Sequence, residues 1–70
     1  MIDEHSEHIK INGYRGRWSV IDVGGYKGTT VYLLEHETYG DMTEGLIVDS
    51  DLNIICDDVW NGFDDLNYLD

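Results

Sequence analysis

Two groups of residues in this sequence are of types that bind metal ions. His5 and His8 have the spacing that brings two imidazoles together on a helix, but no third ligand lies nearby. The segment DSDLN at 49–53 begins like a calcium-binding loop, which needs glycine at its sixth position and glutamate at its twelfth. Those positions hold Ile54 and Trp60, so a β-turn is the better interpretation. We therefore predict no metal site and no cofactor.

The residue types needed for catalysis are present but scattered. Asp22, Glu35 and His36 could supply carboxylates and an imidazole, yet nothing in the sequence brings them near one another or near a nucleophile. Cys56 is followed by two aspartates, whose charges disfavour a reactive thiolate. The segment VGGYKG at 23–28 lacks the pattern of a phosphate-binding loop and is predicted to be a turn. We predict no catalytic residues and a protein that is not an enzyme.

Acidic charge dominates the composition and is unevenly distributed. The chain has fifteen acids and four bases, for a net charge of -11, and residues 28–70 contain eleven acids and no lysine or arginine. Affinity for a phosphate backbone comes from lysine and arginine, so we predict no direct binding of nucleic acid. An acidic surface would instead attract and steer a basic protein partner. The same charges also serve solubility, and composition alone leaves both roles open.

The cellular compartment follows from the cysteine count and the apolar segments. A single cysteine, Cys56, cannot form an internal disulfide, and its apolar setting is typical of a small buried residue in a reducing compartment. The acidic first residues do not resemble a signal peptide. No segment approaches the roughly 20 apolar residues of a membrane span. The sequence therefore predicts a cytoplasmic protein that does not associate with membranes.

Short β-prone segments separated by turn residues predict the fold. Residues 8–70 are predicted to form one small domain, with residues 1–7 frayed or disordered. Asn12-Gly13 favours a tight hairpin between the first two strands. We expect an α+β fold that is mainly β, in which the strands form a curled antiparallel meander or a partly closed barrel. The five predicted strands lie at about 8–12, 17–23, 29–36, 46–49 and 53–57.

The end of the chain predicts one short helix, residues 61–69. Asn61 is suited to the N-cap, and Asp64 and Asp65 follow where the helix dipole favours negative charge. So short a helix is stable only when its apolar face docks on the sheet. Residues chosen for this docking and for the core beneath it are Trp18, Val31, Leu33, Ile47, Ile55, Trp60, Phe63, Leu66 and Leu69.

The predicted strands carry more apolar surface than one helix can cover. Their apolar runs, VYLL at 31–34, LIV at 46–48 and IIC at 54–56, are continuous, so side chains on both faces of the sheet are apolar. The second face must be buried by curling of the sheet, by self-association or by a partner. The sequence leaves these three alternatives open, and we expect a homodimer through an edge or a face of the sheet as one outcome.

Four segments resemble a known family: VYLLE at 31–35, YGD at 39–41, LIVD at 46–49 and DVWNGFDD at 58–65. They are similar to a small domain family associated with large polyvalent proteins, which conjugative elements and phages of gut Firmicutes encode. The resemblance implies an accessory protein of a mobile genetic element that acts against, or alongside, the host's nucleic-acid machinery. It implies no catalytic residues.

Charge and resemblance together lead to two functional hypotheses. The first is a non-enzymatic acidic protein that binds a basic protein partner; its sharpest form is a DNA mimic that inhibits host defence or nucleic-acid enzymes. The alternative is a structural, stand-alone oligomerisation domain with no inhibitory role. The acidic loop after the third predicted strand and the start of the predicted helix supply the candidate partner-binding residues, which are Glu35, Glu37, Tyr39, Asp41, Glu44, Asp57, Asp58, Asp64 and Asp65.

Overall fold

One antiparallel sheet, with its four strands in chain order, forms the frame of the protein. The computed structural model describes residues 2–68, apart from the side chain of Tyr68. The prediction of a mainly β meander is confirmed, and five of the six elements lie near predicted positions. The strands are β1 (Trp18–Tyr26), β2 (Thr29–His36), β3 (Gly45–Val48) and β4 (Ile54–Val59), and two 3₁₀ helices span Gly40–Met42 and Gly62–Tyr68.

The predicted first strand at 8–12 is wrong, so the described sheet has four strands rather than five. Only Ile9 pairs there, exchanging two backbone hydrogen bonds of 2.8 Å with Trp18. Gly13 and Gly16 both have positive φ, at 90° and 80°, which turns the chain into a wide loop instead of a tight hairpin. Because β1 and β4 do not pair, the sheet is open and forms no barrel.

The hairpin between β1 and β2 turns at two residues. Lys27 and Gly28 have φ of 51° and 78°, the double positive φ of a type I′ turn, whose twist matches that of paired strands. The turn predicted within residues 23–28 is thus confirmed at its end, whereas Gly24 and Gly25 belong to β1. Gly24 has its own role: a methyl group there would lie 3.1 Å from Phe63 Cε2. Its missing side chain makes room for that ring.

The segment DSDLN forms the turn between β3 and β4, as predicted. Asp49 Oδ1 accepts hydrogen bonds from the backbone N–H groups of Asp51 and Asn53, at 2.9 and 3.0 Å. The amide nitrogen of Asn53 donates to Asp49 Oδ2 at 3.1 Å. These bonds favour the charged carboxylate and hold the pKa of Asp49 below its usual range. The carboxylate that resembled a calcium ligand therefore organises a turn.

The first face of the sheet is covered by residues 2–17, which we name the N-terminal cover. Ile9 and Ile11 of this segment are buried against the strands, and Ile2 and Tyr14 are partly buried there. The apolar face that the predicted C-terminal helix could not cover is thus buried by the chain itself. Six strand residues form the sheet's side of this cluster: Trp18, Val20, Tyr32, Leu34, Leu46 and Val48.

The second face is covered by the 3₁₀ helix Gly62–Tyr68, which we name the C-terminal cover. Leu66 is buried and Phe63 half-buried against a cluster built on Val31, Ile47 and Val59, with Leu33, Ile55 and Cys56 at its margin. Trp18, which was predicted to lie in the core or to dock this helix, is a core residue of the cluster on the opposite face and does not dock it. Leu69 lies outside the described residues. The central strands β2 and β3 are consequently buried on both sides.

The predicted α-helix at 61–69 is a 3₁₀ helix instead. The Asp65 carboxylate accepts hydrogen bonds from the backbone N–H groups of Trp60 and Asn61, at 2.8 and 3.2 Å. These bonds hold the first turn of the helix in a compact form. In a 3₁₀ helix, residues three apart are eclipsed. Phe63 and Leu66 therefore stack above one another and both reach the sheet, which is the contact that the predicted spacing required.

His36 is buried at the end of β2 within the first-face cluster. Its ring lies 5.0 Å, between ring centroids, from both Trp18 and Tyr39. The Nδ1 atom accepts backbone hydrogen bonds from Thr38 at 3.1 Å and from Tyr39 at 3.3 Å. Gly16 of the N-terminal cover lies directly against the opposite edge of the ring. The imidazole therefore joins the cover to the turn after β2.

The two covers bear on the homodimer hypothesis. One reason for that hypothesis was an apolar sheet face left bare, and in the described residues each face is covered by the chain itself. Pairing through an edge of the open sheet was the other reason, and the oligomeric state stays a prediction. Sedimentation at micromolar concentration measures it. The fraying or disorder expected of residues 1–7 also stays a prediction, although the Ser6 carbonyl accepts a 3.0 Å hydrogen bond from the Val20 backbone N–H.

Candidate functional site

Five of the predicted partner-binding carboxylates accept hydrogen bonds within the protein, and Glu37 is one of them. It accepts hydrogen bonds from the His8 backbone N–H at 2.6 Å and from the Ser19 hydroxyl at 2.8 Å, and His8 Nδ1 lies 2.8 Å from its other oxygen. Partial burial would raise the pKa of Glu37, but these hydrogen bonds outweigh it and the pKa is lowered. Glu37 fastens the N-terminal cover to the sheet.

Replacing Glu37 with glutamine should therefore have a pH-dependent effect on stability. A carboxylate whose folded pKa is lowered stabilises the protein above its unfolded pKa of about 4.3, and this contribution is lost as pH falls through the folded pKa. We expect E37Q to lower the melting temperature at pH 7, with the difference from wild type closing at acidic pH. Thermal unfolding followed by circular dichroism from pH 7 to about pH 3 measures it.

Glu4→Gln is the matched control, because the Glu4 side chain is 70% exposed and its ion-pair partner is the adjacent His5. It should change the melting temperature little at any pH. A gap between wild type and E37Q that stays constant across the acidic range would show that the charge of Glu37 is not what fastens the cover.

Asp57 and Asp65 are likewise engaged within the fold. The Tyr14 hydroxyl donates to Asp57 Oδ2 at 2.9 Å, and this hydrogen bond, with burial and the carboxylate charge, raises the pKa of Tyr14. Asp65 accepts hydrogen bonds from the Trp60 and Asn61 backbones and from the Asn61 amide, which lower its pKa. Asp57 thus helps hold the N-terminal cover, and Asp65 holds the start of the C-terminal cover.

Glu35 and Asp41 are brought together in a groove on the second face. The groove has a volume of about 230 Å³ and no lysine or arginine lines it. Glu35 follows Val31 and Leu33 on the same face of β2, and its carboxylate lies beside the backbone of Gly40, next to Asp41. We name this the acidic groove; its walls include Ile21, Leu33, Val59 and Trp60, with Glu35 and Asp41 as its charged groups.

Trp60 lines this groove and is 58% exposed, so the prediction that it is a core residue is wrong. Two aspartates hold it there. Its backbone N–H donates to Asp65 at 2.8 Å, and its indole Nε1 donates to Asp58 at 2.7 Å. Asp58 has a positive φ of 54°, which places its carboxylate beside the ring. The side chain is therefore both exposed and fixed in position.

Ile21 is a residue of the groove that sequence reasoning missed. It lies in a β-bulge, where the register of β1 with β2 shifts between Val20 and Asp22, and its side chain is 54% exposed. A bulge adds one residue to a strand and re-aims its side chain. The sequence Val20-Ile21-Asp22 contains no glycine, and two β-branched residues precede the aspartate, so it gave no sign of a bulge.

The remaining predicted partner-binding residues, Tyr39, Glu44 and Asp64, do not line the acidic groove. Tyr39 is 58% exposed, and Asp64 is exposed on the C-terminal cover. Glu44 accepts a 3.0 Å hydrogen bond from the neighbouring Thr43 hydroxyl. Met42, which was not predicted, is the most exposed large apolar side chain of the described residues at 85%, but it does not line the groove.

The residues considered for catalysis are kept apart. Glu35 lies in the acidic groove on the second face, whereas His36 is buried on the first face, so the sheet separates them. Asp22 accepts a hydrogen bond from its neighbour Val23 at 2.8 Å. Burial, followed by the charges of nearby aspartates, raises the pKa of the Cys56 thiol. The described part of the chain brings these groups to no common site.

Among residues 2–68, no group of three or more histidine, cysteine, aspartate or glutamate side chains is arranged to hold a metal ion. No helix in the same range has the length and apolar character needed to cross a membrane.

Comparison with known proteins gives one result. A family model described as large polyvalent protein-associated domain 18 matches residues 1–68, which is nearly the whole chain. No curated protein and no solved structure matches this chain.

Proposed function

Since this chain belongs to the large polyvalent protein-associated domain 18 family, we propose that it is a non-enzymatic binding protein of a mobile genetic element. It acts in the cytoplasm and engages a basic protein partner through the acidic groove. The single observation that supports this most is Trp60, which is exposed beside the acidic groove, with its indole N–H donating to Asp58 and its backbone N–H donating to Asp65.

An exposed and fixed tryptophan is what a binding surface requires. Aromatic side chains bury a large area at low entropic cost, and tryptophan is enriched among the few interface residues that carry most of the binding free energy. The aspartate hydrogen bonds fix Trp60 before a partner arrives, so less conformational entropy is lost on binding. Ile21 and Val59 add apolar surface beside it.

The charges of the surface favour a basic partner. The groove contains two carboxylates and no base, within a chain of net charge -11, so a positive partner would be attracted before contact. A DNA mimic is the narrower form of this proposal and needs many free carboxylates on one face. Because Glu37, Asp57 and Asp65 are hydrogen-bonded internally, the broader form, a basic protein surface of any function, is the one we propose.

The test is capture of partners by wild type and by Trp60→Ala from a lysate of the host cell, measured by quantitative mass spectrometry. We expect W60A to recover the specific partner at least about tenfold less, the loss that corresponds to about 1.4 kcal/mol. Its melting temperature should stay near that of wild type, because the ring is largely outside the core.

Met42→Ala is the control for nonspecific apolar contact, since Met42 is exposed outside the groove. It should recover the partner as wild type does. Equal recovery by W60A and wild type would show that the acidic groove is not the binding surface.

A further inference from the structure

We propose that the acidic groove receives an arginine side chain of the partner, stacked on Trp60 and paired with Glu35 and Asp41. This rests on the proposed function, because it names what occupies the same site. Three properties of the groove support it: its volume, its unpaired carboxylates and the exposed Trp60 beside them.

The volume fits one side chain better than a small molecule. Pockets for drug-sized ligands are typically about 300–1,000 Å³, and the acidic groove has about 230 Å³. Glycine backbones at Gly40, Gly45 and Gly62 line part of it and leave it open to a long side chain. A single projecting side chain of a protein would therefore fill the groove.

The carboxylates select a positive side chain. Glu35 is half-buried, and neither it nor Asp41 makes a hydrogen bond or an ion pair with another side chain of the described residues. By contrast, Glu37, Asp57, Asp58 and Asp65 all have such partners. A carboxylate that is partly removed from water gains more from a cation than a fully exposed one does. The groove thus keeps two acceptors for a partner.

Arginine suits this site better than lysine. Its guanidinium is planar, is more weakly hydrated than an ammonium group and stacks on aromatic faces. It also presents a fork of donors that two carboxylate oxygens can accept at once, whereas lysine offers a compact point charge. A tryptophan beside two carboxylates meets both requirements of the guanidinium together.

A peptide titration followed by NMR tests the inference. The probe is the peptide acetyl-Gly-Leu-Arg-Leu-Gly-amide, compared with versions carrying lysine or norleucine at the centre. The protein has two indole signals, from exposed Trp60 and buried Trp18. We expect the arginine peptide to shift the Trp60 signal and leave the Trp18 signal in place, at concentrations up to about 5 mM.

Affinity for the arginine peptide should fall about tenfold in the double variant Glu35→Gln/Asp41→Asn, and the lysine peptide should bind wild type about threefold more weakly than the arginine peptide. Asp64→Asn is the control, since Asp64 is exposed outside the groove. The inference is overturned if the arginine peptide leaves the Trp60 signal unshifted, if the norleucine peptide binds equally well, or if the double variant binds as wild type does.

Those outcomes separate this inference from the proposed function. Loss of partner capture in W60A together with equal binding of arginine and norleucine peptides would leave the groove as a binding surface and remove arginine as its occupant. Undiminished capture by W60A would overturn the proposed function, whatever the peptides do.

Discussion

Replacing Gly16 with alanine is expected to lower the free energy of unfolding by about 2–5 kcal/mol. Gly16 has φ of 80°, which costs an L-residue about 1–2 kcal/mol. Its new methyl group would also overlap His36 Nε2 and lie 2.8 Å from His36 Cε1, and overpacking of this kind costs about 1–3 kcal/mol. The total free energy of unfolding of a 70-residue domain is roughly 3–10 kcal/mol. Urea unfolding followed by circular dichroism measures the loss.

Gly13→Ala separates the two causes. Gly13 has a similar φ of 90° and no atom within 4 Å of the added methyl group, so only the backbone cost of about 1–2 kcal/mol applies. The steric part is tested by Gly16→Ala in a His36→Ala background, where we expect the alanine to cost at least about 1 kcal/mol less. Equal losses for G13A and G16A would show that Gly16 and His36 are not in contact.

The second large effect is expected from Ile11→Ala in the N-terminal cover. Ile11 is 4% exposed in the first-face cluster, and truncating a buried isoleucine costs about 2–5 kcal/mol. In a domain of this size each kcal/mol lowers the melting temperature by about 4–8 °C, so the shift is easily measured by scanning calorimetry. The result would establish the cover as a layer of the core.

Ile21→Ala provides the matched comparison, because the same atoms are removed from a side chain that is 54% exposed. We expect its cost to stay within about 0.5 kcal/mol. If I11A were as mild as I21A, residues 2–17 would contribute little to folding, and the first face would need another cover in solution.

Local patterns predicted much of the sheet. The β-branched and aromatic run of β2 was predicted at its observed bounds, and the strands β3 and β4 within about two residues. These predictions hold because strand propensity and turn chemistry act between near neighbours. Asp49 and Asn53, for example, form their turn within five residues of sequence.

Contacts between distant segments could not be predicted in this way. Residues 8–12 alternate like a strand, but Ile9 and Ile11 belong to a buried cluster that includes Leu46 and Val48, more than thirty positions away. Glu37 looked available for a partner, but His8, 29 positions earlier, uses it. Such pairings depend on the whole fold, and a single sequence does not reveal them.

The sequence likewise predicted only some of the residues of the acidic groove. Glu35 and Asp41 were among the predicted partner-binding residues, since charged side chains in a loop are visible in the sequence. Trp60 was assigned to the core because aromatic residues near a helix start usually pack inward. Its outward position depends on hydrogen bonds to Asp58 and Asp65, and the place of Ile21 depends on a β-bulge.

The two covers come from opposite ends of the chain, and this orders events while the protein is synthesised. The N-terminal cover is synthesised before the sheet, and Ile9 and Ile11 have only the β1 part of their cluster, Trp18 and Val20, until β2 and β3 have emerged. The hydrogen bond between Tyr14 and Asp57, 43 positions apart, waits for β4. A nascent chain that stalls before Leu66 would therefore carry a sheet with one bare apolar face, and it would be open to chaperones and proteases until translation resumed.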